Sequence, residues 1–267
     1  MKKIVYMHMA KTAGSSVNRF FENALGRENC INHVERFPLE QRLEYLERSA
    51  YLSGHIYSSD IFQLTKNRDD IYIFTFMRDP LKQIASHIHW LDHYNDPPFR
   101  KESERFGEAL RQVIEALRVV DLNSPDELDE LMTNLPPWGL RMLDNMQTRY
   151  MCGERRSIPL SLINARTAFR VSGRFDRIGF VEDMDVSLAA IANDLGLPIP
   201  EAGAPRVNEA KSSRTLDLSL PVVRTVLGKR IIADQRLYAL ARRREAERDG
   251  TDRGEVSGQT EEEATPR

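Results

Sequence analysis

Near its start the chain runs Ile4-Val5-Tyr6-Met7-His8-Met9-Ala10-Lys11-Thr12-Ala13-Gly14-Ser15-Ser16-Val17. The first four of these residues are apolar, β-prone and consecutive. A run apolar on both faces suits a central parallel strand, which we place over residues 2–9. A loop rich in small residues follows, Lys11 to Ser16. Beyond it Val17, Phe20, Phe21 and Leu25 recur at helical spacing until Gly26 ends the helix. Strand, tight loop and helix in that order open a βαβ unit. Such a loop gathers backbone N–H groups at a helix N-terminus, where the donors and the helix dipole favour a phosphate. Gly14 lets the backbone come close to a ligand. Ser15 and Ser16 add hydroxyl donors, and Lys11 supplies a point charge. The plainer alternative is a small-residue turn with no ligand. The pattern GxxxxGK[ST] is absent, because the lysine precedes the glycine, and that counts against a Walker-type triphosphatase.

The strongest strand lies further on, Ile71-Tyr72-Ile73-Phe74-Thr75-Phe76-Met77. Arg78-Asp79-Pro80 breaks it, and a helix is predicted from about residue 80 to 94, with Pro80 in the first turn where its missing N–H costs little. No Walker-B acid follows this strand. Arg78 sits at the strand's end and Ser86 in the second turn of the helix. Ligands of open α/β sheets bind at the carboxyl ends of strands. Arg78 and Ser86 are therefore candidates for a second phosphate, which the planar arginine fork can grip through two oxygens. The alternative pairs Arg78 with Asp79 or another acid and leaves Ser86 on a helix face.

Other segments complete an α/β pattern. Helices are predicted over 39–49, 139–150, 185–195 and 221 to about 244, and a short strand over 50–56 leading to His55. Residues 103–120 form an amphipathic helix whose stripe of Phe106, Ala109, Leu110, Val113, Ile114 and Leu117 reads as core. Residues 121–138 read as a loop with a short helix, 169–181 as two extended pieces around Gly173 and Gly179, and 198–219 as a polar loop. There is no internal repeat. We expect a P-loop-like α/β fold in three layers, with a central mostly parallel sheet flanked by helices.

Bulk properties narrow the class. The chain has 267 residues, 41% hydrophobic and 29% charged, which suits a folded soluble protein and excludes global disorder. Net charge is -2, so nothing points to nucleic acid. Residues 245–267 hold eight acids against three bases and read as an acidic, disordered tail behind a single domain over 1–244. Cys30 and Cys152 make neither a disulfide framework nor a CxxC zinc pair, which suits a reducing compartment. No secretory signal and no apolar run of about 18 residues occurs, so the expected location is the cytoplasm. His89 and His93 stand at i, i+4 but lack a third ligand at a familiar spacing, so no metal is expected. Trp90 and Trp138 read as core, with stacking on a sugar as the alternative. Nothing speaks to oligomeric state.

The two strand-end segments together resemble the signature of PAPS-dependent sulfotransferases, in particular the carbohydrate (heparan-type and chondroitin-type) branch; PAPS is 3′-phosphoadenosine-5′-phosphosulfate. His8-Met9-Ala10-Lys11-Thr12-Ala13-Gly14-Ser15-Ser16 is similar to its first motif, and Arg78-Asp79-Pro80 through Ser86 to its second. Ser53-Gly54-His55 resembles the Gly-His that carries the base. Asn145-Met146-Gln147, Ile178 to Glu182, Val207-Asn208, and Asp234 with Leu237-Tyr238 resemble later segments, so the likeness spans about residues 1–244. Three positions depart from the pattern: Ala10 replaces a usual proline, Gln83 a common basic residue, and Ile88 an aromatic. No segment like the Golgi members' membrane anchor is read in these residues, so a Golgi role is not expected.

The resemblance implies that Lys11, Thr12, Ala13, Gly14, Ser15 and Ser16 hold the 5′-phosphosulfate and that Arg78 and Ser86 hold the 3′-phosphate. It further implies that Asn208 and Arg214 close over the nucleotide. His55 would take the acceptor's proton and Lys11 would neutralise the leaving oxygen, without a metal. The acceptor would be a hydroxyl, on a carbohydrate or glycoconjugate by the branch resembled, with a lipid headgroup and a small alcohol as alternatives that the sequence leaves open. Two rival classes share these features: an ATP-dependent small-molecule kinase, and a non-catalytic protein that binds PAPS or its product PAP (adenosine 3′,5′-bisphosphate).

Overall fold

The computed structural model describes residues 2–199 and 214–258, with backbone alone for 251–258. Five strands, β1 Lys3–Met7, β2 Cys30–Ile31, β3 Tyr51–Gly54, β4 Ile71–Met77 and β5 Arg177–Phe180, form one sheet in the order β2-β3-β1-β4-β5. Every pairing is parallel. The helices are α1 Gly14–Leu25, α2 Leu39–Arg48, α3 Ser58–Leu64, α4 Pro80–His93, α5 Arg100–Ser103, α6 Glu108–Arg118, α7 Pro125–Thr133, α8 Pro137–Leu143, α9 Met146–Cys152, α10 Leu162–Ser172, α11 Met184–Leu195, α12 Pro221–Gly228 and α13 Ile232–Gly258.

The expected three-layer α/β architecture follows from two-faced strands. In β1, Ile4 and Tyr6 join Val17, Phe20 and Phe21 of α1 and Leu188 and Ile191 of α11 on one face. Val5 and Met7 join residues of α3, α9, α10 and α13 on the other. All seven residues of β4 are buried. A central parallel strand covered on both sides has no solvent face to mark with polar residues, so it reads as a continuous apolar run. A second core gathers α4, α6, α7, α8 and α12 beside the sheet; Val113, Ile114 and Leu117 of the predicted stripe are buried there, Leu110 and Phe106 pack against it, and Ala109 is exposed.

Several boundaries differ from the sequence reading. The helix expected over 139–150 is two helices, broken where Asn145 takes a left-handed backbone with φ 46. Asparagine tolerates that region better than most residues. The residues before Gly173 are helical, as the end of α10, and only the piece around Gly179 is a strand. The last helix is likewise two, separated at 229–231. It does not end near Arg244 but continues to Gly258, with Glu245 buried and Asp249 bonded to Arg177 at 2.7 Å. Most of the polar loop expected over 198–219 lies outside the described residues.

The break at Asn145 has a structural use. Asn145 Oδ1 accepts the N–H groups of Ala233 and Asp234 at 2.7 and 3.1 Å, at the start of α13. The Asp234 carboxylate accepts those of Gln147 and Thr148 at 3.1 and 2.6 Å, at the start of α9. Each helix thus caps the other's unpaired donors inside the core. Asp234→Ala would leave two buried donors without acceptors. We expect a loss of about 3 kcal/mol, seen in urea unfolding as a lower midpoint with an unchanged slope.

Candidate active site

β1 lies between β3 and β4, and the chain reverses its direction of travel across the sheet there. That switch point opens the crevice in which α/β proteins bind ligands. The segments leaving the carboxyl ends of these three strands carry Lys11, His55 and Arg78.

The loop after β1 is shaped to present donors. Lys11 and Ala13 both take left-handed backbone, φ 65 and 61. Residues with a Cβ adopt this region at a cost of about 1–2 kcal/mol each, and such conformations aim successive N–H groups into one concavity that suits an anion. Thr12 is fully buried, and its hydroxyl donates to the Met9 carbonyl at 2.9 Å, which ties the loop inward. Its side chain is therefore engaged with the protein, and its free donor is the backbone N–H. Among the described residues, no protein acceptor meets the N–H groups of Lys11, Thr12, Ala13, Gly14 or Ser15. Ser15 is exposed and Ser16 buried. Gly14 is required by contact: a Cβ there would stand 1.8 Å from His8 Nε2.

Arg78 reaches the same loop, donating from Nη1 to the Lys11 carbonyl at 3.3 Å. Its backbone is clamped by Gln147, whose Oε1 accepts the Arg78 N–H and whose Nε2 donates to the Arg78 carbonyl, each at 2.9 Å. The Arg78 Nε is buried without a hydrogen-bond partner. The alternative pairing with Asp79 does not form, because Asp79 caps α4 by accepting the Lys82 N–H at 2.9 Å. Burial and then Arg78 push the Lys11 ammonium down, and burial pushes the Arg78 guanidinium down. Two cations thus stand together beside unpaired donors. Buried Gln83, where the resemblance would have a basic residue, instead donates to the Ala10 carbonyl at 3.3 Å.

His55 is fixed in one tautomer. Its Nδ1 lies 2.9 Å from the His8 carbonyl oxygen. A carbonyl only accepts, so Nδ1 carries the proton and Nε2 keeps its lone pair. The His55 backbone N–H donates to Glu35 Oε2 at 2.9 Å, and His33 Nδ1 stands 3.1 Å from Glu35 Oε1. Gly54 permits this approach, since a Cβ there would come within 2.6 Å of Glu35 Oε2. Burial pushes the His55 imidazole below its ordinary range, although Glu35 opposes that. Burial, then His55, His33 and Lys11, push His8 well down. Burial takes His87 to about 3, with Lys11 and His55 adding to the shift, and its Nδ1 has no partner.

Ser86 lies half-buried on α4. Arg214 holds Asp92 and the carbonyls of Val120 and Leu117, the last two at 2.8 Å, so these contacts bind it to the second core. Asn208 lies outside the described residues. His89 Nε2 accepts the Leu216 N–H at 2.9 Å, which occupies the lone pair a metal would need. Trp90 packs in the second core, as expected, whereas Trp138 is 37% exposed beneath the Arg141 guanidinium. Sequence reasoning gave no role to Gln147, His33 or Glu35. Gln147 stood inside a quoted motif, but its task is a backbone clamp visible only in three dimensions. His33 and Glu35 have no motif at all.

No protein-family model matches the chain, and no curated protein matches it. Among solved structures, a sulfotransferase from Alicyclobacillus acidocaldarius is 14% identical, with 91% of this chain and 96% of that chain covered and a TM-score of 0.45.

Gly14→Ala should cost about 1–3 kcal/mol by overpacking against His8. Adding His8→Ala should restore more than half of the lost stability. Thermal unfolding of the single and double variants measures both, and additive losses would contradict the contact.

Proposed function

We propose that the protein is a PAPS-dependent sulfotransferase acting on a hydroxyl of a carbohydrate or glycoconjugate. One observation carries the reading: Lys11 and Arg78, both half-buried, converge on a loop whose N–H groups from Lys11 to Ser15 meet no protein acceptor among the described residues. Glu182 and Asp79 offset only part of what burial costs the Arg78 guanidinium, and a half-buried cation is costly to keep. A ligand with more than one anionic group would relieve both at once. In this reading the Lys11 loop holds the 5′-phosphosulfate. Arg78 and Ser86 take the 3′-phosphate, and Gln147 keeps Arg78 in place.

Transfer would proceed by in-line attack, as in phosphoryl transfer. His55 Nε2 takes the acceptor's proton as the acceptor oxygen bonds to sulfur. The bond from sulfur to the bridging phosphate oxygen breaks, and the charge left on that oxygen falls to Lys11 and the loop donors. PAP leaves with its phosphates intact. The fixed tautomer supports the base assignment, since the nitrogen facing away from the His8 carbonyl is ready to accept. The carbohydrate acceptor and the single-domain assignment rest on the sequence resemblance. A cytoplasmic setting rests on the free thiols of Cys30 and Cys152. No described helix is long and apolar enough to cross a membrane.

Calorimetric titration with PAP, beside ATP with Mg²⁺, tests the class. Tight PAP binding without ATP binding supports a sulfotransferase, and the reverse preference moves the chain to the kinases. Lys11→Ala should abolish transfer of radiolabelled sulfate from PAPS. His55→Ala should lower turnover by at least about 10²-fold and leave PAP affinity within a few-fold of wild type.

The pH profile follows from the direction of the His55 shift. A lowered pKa leaves the imidazole neutral at pH 7, so kcat/KM should be flat there. It should fall only as the solution is acidified past an apparent pKa below 6.5. A limb centred above that value would exclude His55 as the base.

A further inference from the structure

We infer that His33, Glu35 and His55 form a three-ligand site for a divalent metal ion of the zinc class. Occupancy would take the His55 nitrogen that the proposed transfer uses as base. Ion binding itself does not depend on that proposal.

The geometry starts from a short turn. His33 has left-handed backbone, φ 60, at the head of a single 3-10 turn over Val34–Arg36, and His33 Nδ1 approaches Glu35 Oε1 at 3.1 Å. His55 arrives from the end of β3, and one ligand atom from each of the three residues lies within 4.8 Å of the others. Tetrahedral zinc with bonds of about 2.0–2.1 Å to nitrogen and oxygen needs ligand atoms about 3.3 Å apart. The His33–Glu35 pair already has that spacing. A ring nitrogen of His55 would need to close by no more than about 1.5 Å, within the reach of side-chain rotation.

The surroundings are those of a metal site. Metal-bound histidines donate their second ring nitrogen to a carbonyl or carboxylate, which orients the ring. His55 does this through Nδ1 to the His8 carbonyl, leaving Nε2 as the ligand atom. His8 is itself anchored, its N–H donating to the Gly54 carbonyl at 3.0 Å. Glu35 Oε2 is held by the His55 N–H, so Oε1 faces His33. Burial pushes the Glu35 carboxyl up, but hydrogen bonds from backbone N–H groups and His33 outweigh it and keep the group ionised. Two imidazoles and one carboxylate suit zinc, and a fourth position remains for water or a substrate oxygen. The His33 side chain is 44% exposed, which gives an ion its way in. Arg36 acts against the cation and limits affinity.

The test is titration of the purified full chain with zinc chloride at pH 7. One ion per chain should bind. His33→Ala and Glu35→Gln should each weaken binding at least tenfold, while His89→Ala leaves it unchanged. Cobalt(II) should give visible absorption bands of a tetrahedral site, absent from His33→Ala. Circular dichroism of the same variants reports that they are folded, and wild type is titrated with PAP beside them. Zinc binding that is absent in wild type, or unchanged in both ligand variants, overturns the site. Zinc binding at these residues by a chain that ignores PAP keeps the site and sinks the sulfotransferase reading. PAP binding without zinc binding does the reverse.

Discussion

Lys11 and Arg78 carry like charges in a half-buried crevice, and the Arg78 guanidinium is bonded to the carbonyl of Lys11 itself. Repulsion and desolvation both work against that arrangement. It persists because the backbone on each side is held. Gln147 grips Arg78 at both its N–H and its carbonyl. The loop carrying Lys11 is pinned by Thr12 on Met9 and by Gln83 on Ala10. Gln147 in turn depends on the start of α9, whose donors are capped by Asp234 from α13. A line of hydrogen bonds therefore runs from the C-terminal helix to the mouth of the crevice.

The sheet order makes this local arrangement useful. Because β1 is flanked by β3 and β4, the loop donors, the histidine and the arginine arrive from three neighbouring strand ends. The His8 ring fills the space beside Gly14, and its carbonyl fixes the His55 tautomer. One residue thus serves both the anion loop and the histidine, so the two halves of the site cannot be displaced independently.

Much of this could be read from the chain because the signals were local. The apolar run of β1, the loop to Ser16 and the strand ending at Arg78 announce themselves within a few residues. The 3.6-residue stripe of α6 does the same. Contacts between distant segments left no such trace. The breaks at Asn145 and at 229–231 arise from a cap exchanged between residues 88 and 89 apart in sequence. Glu35 meets His55 across 20 residues, with no periodicity to mark it. Arg214 entered only through the family resemblance, and its guanidinium meets a buried carboxylate, Asp92, from a distant segment. The extension of α13 was obscured because acidic composition resembles a solvated tail, whereas Glu245 is buried beside its neighbour Arg244 and Asp249 meets Arg177 of β5.

That extension also bears on how the chain behaves beside its own copies. An open parallel sheet ends in two strands with unpaired backbone, and such edges invite another chain to add on. One edge here, β2, is two residues long and offers little to pair with. The other, β5, is fastened by the last part of α13. Arg248 bonds to the Asp176 carbonyl just ahead of the strand, and Asp249 reaches Arg177 within it. The same stretch that reads as an acidic tail therefore ties down the strand at the sheet's longer free edge.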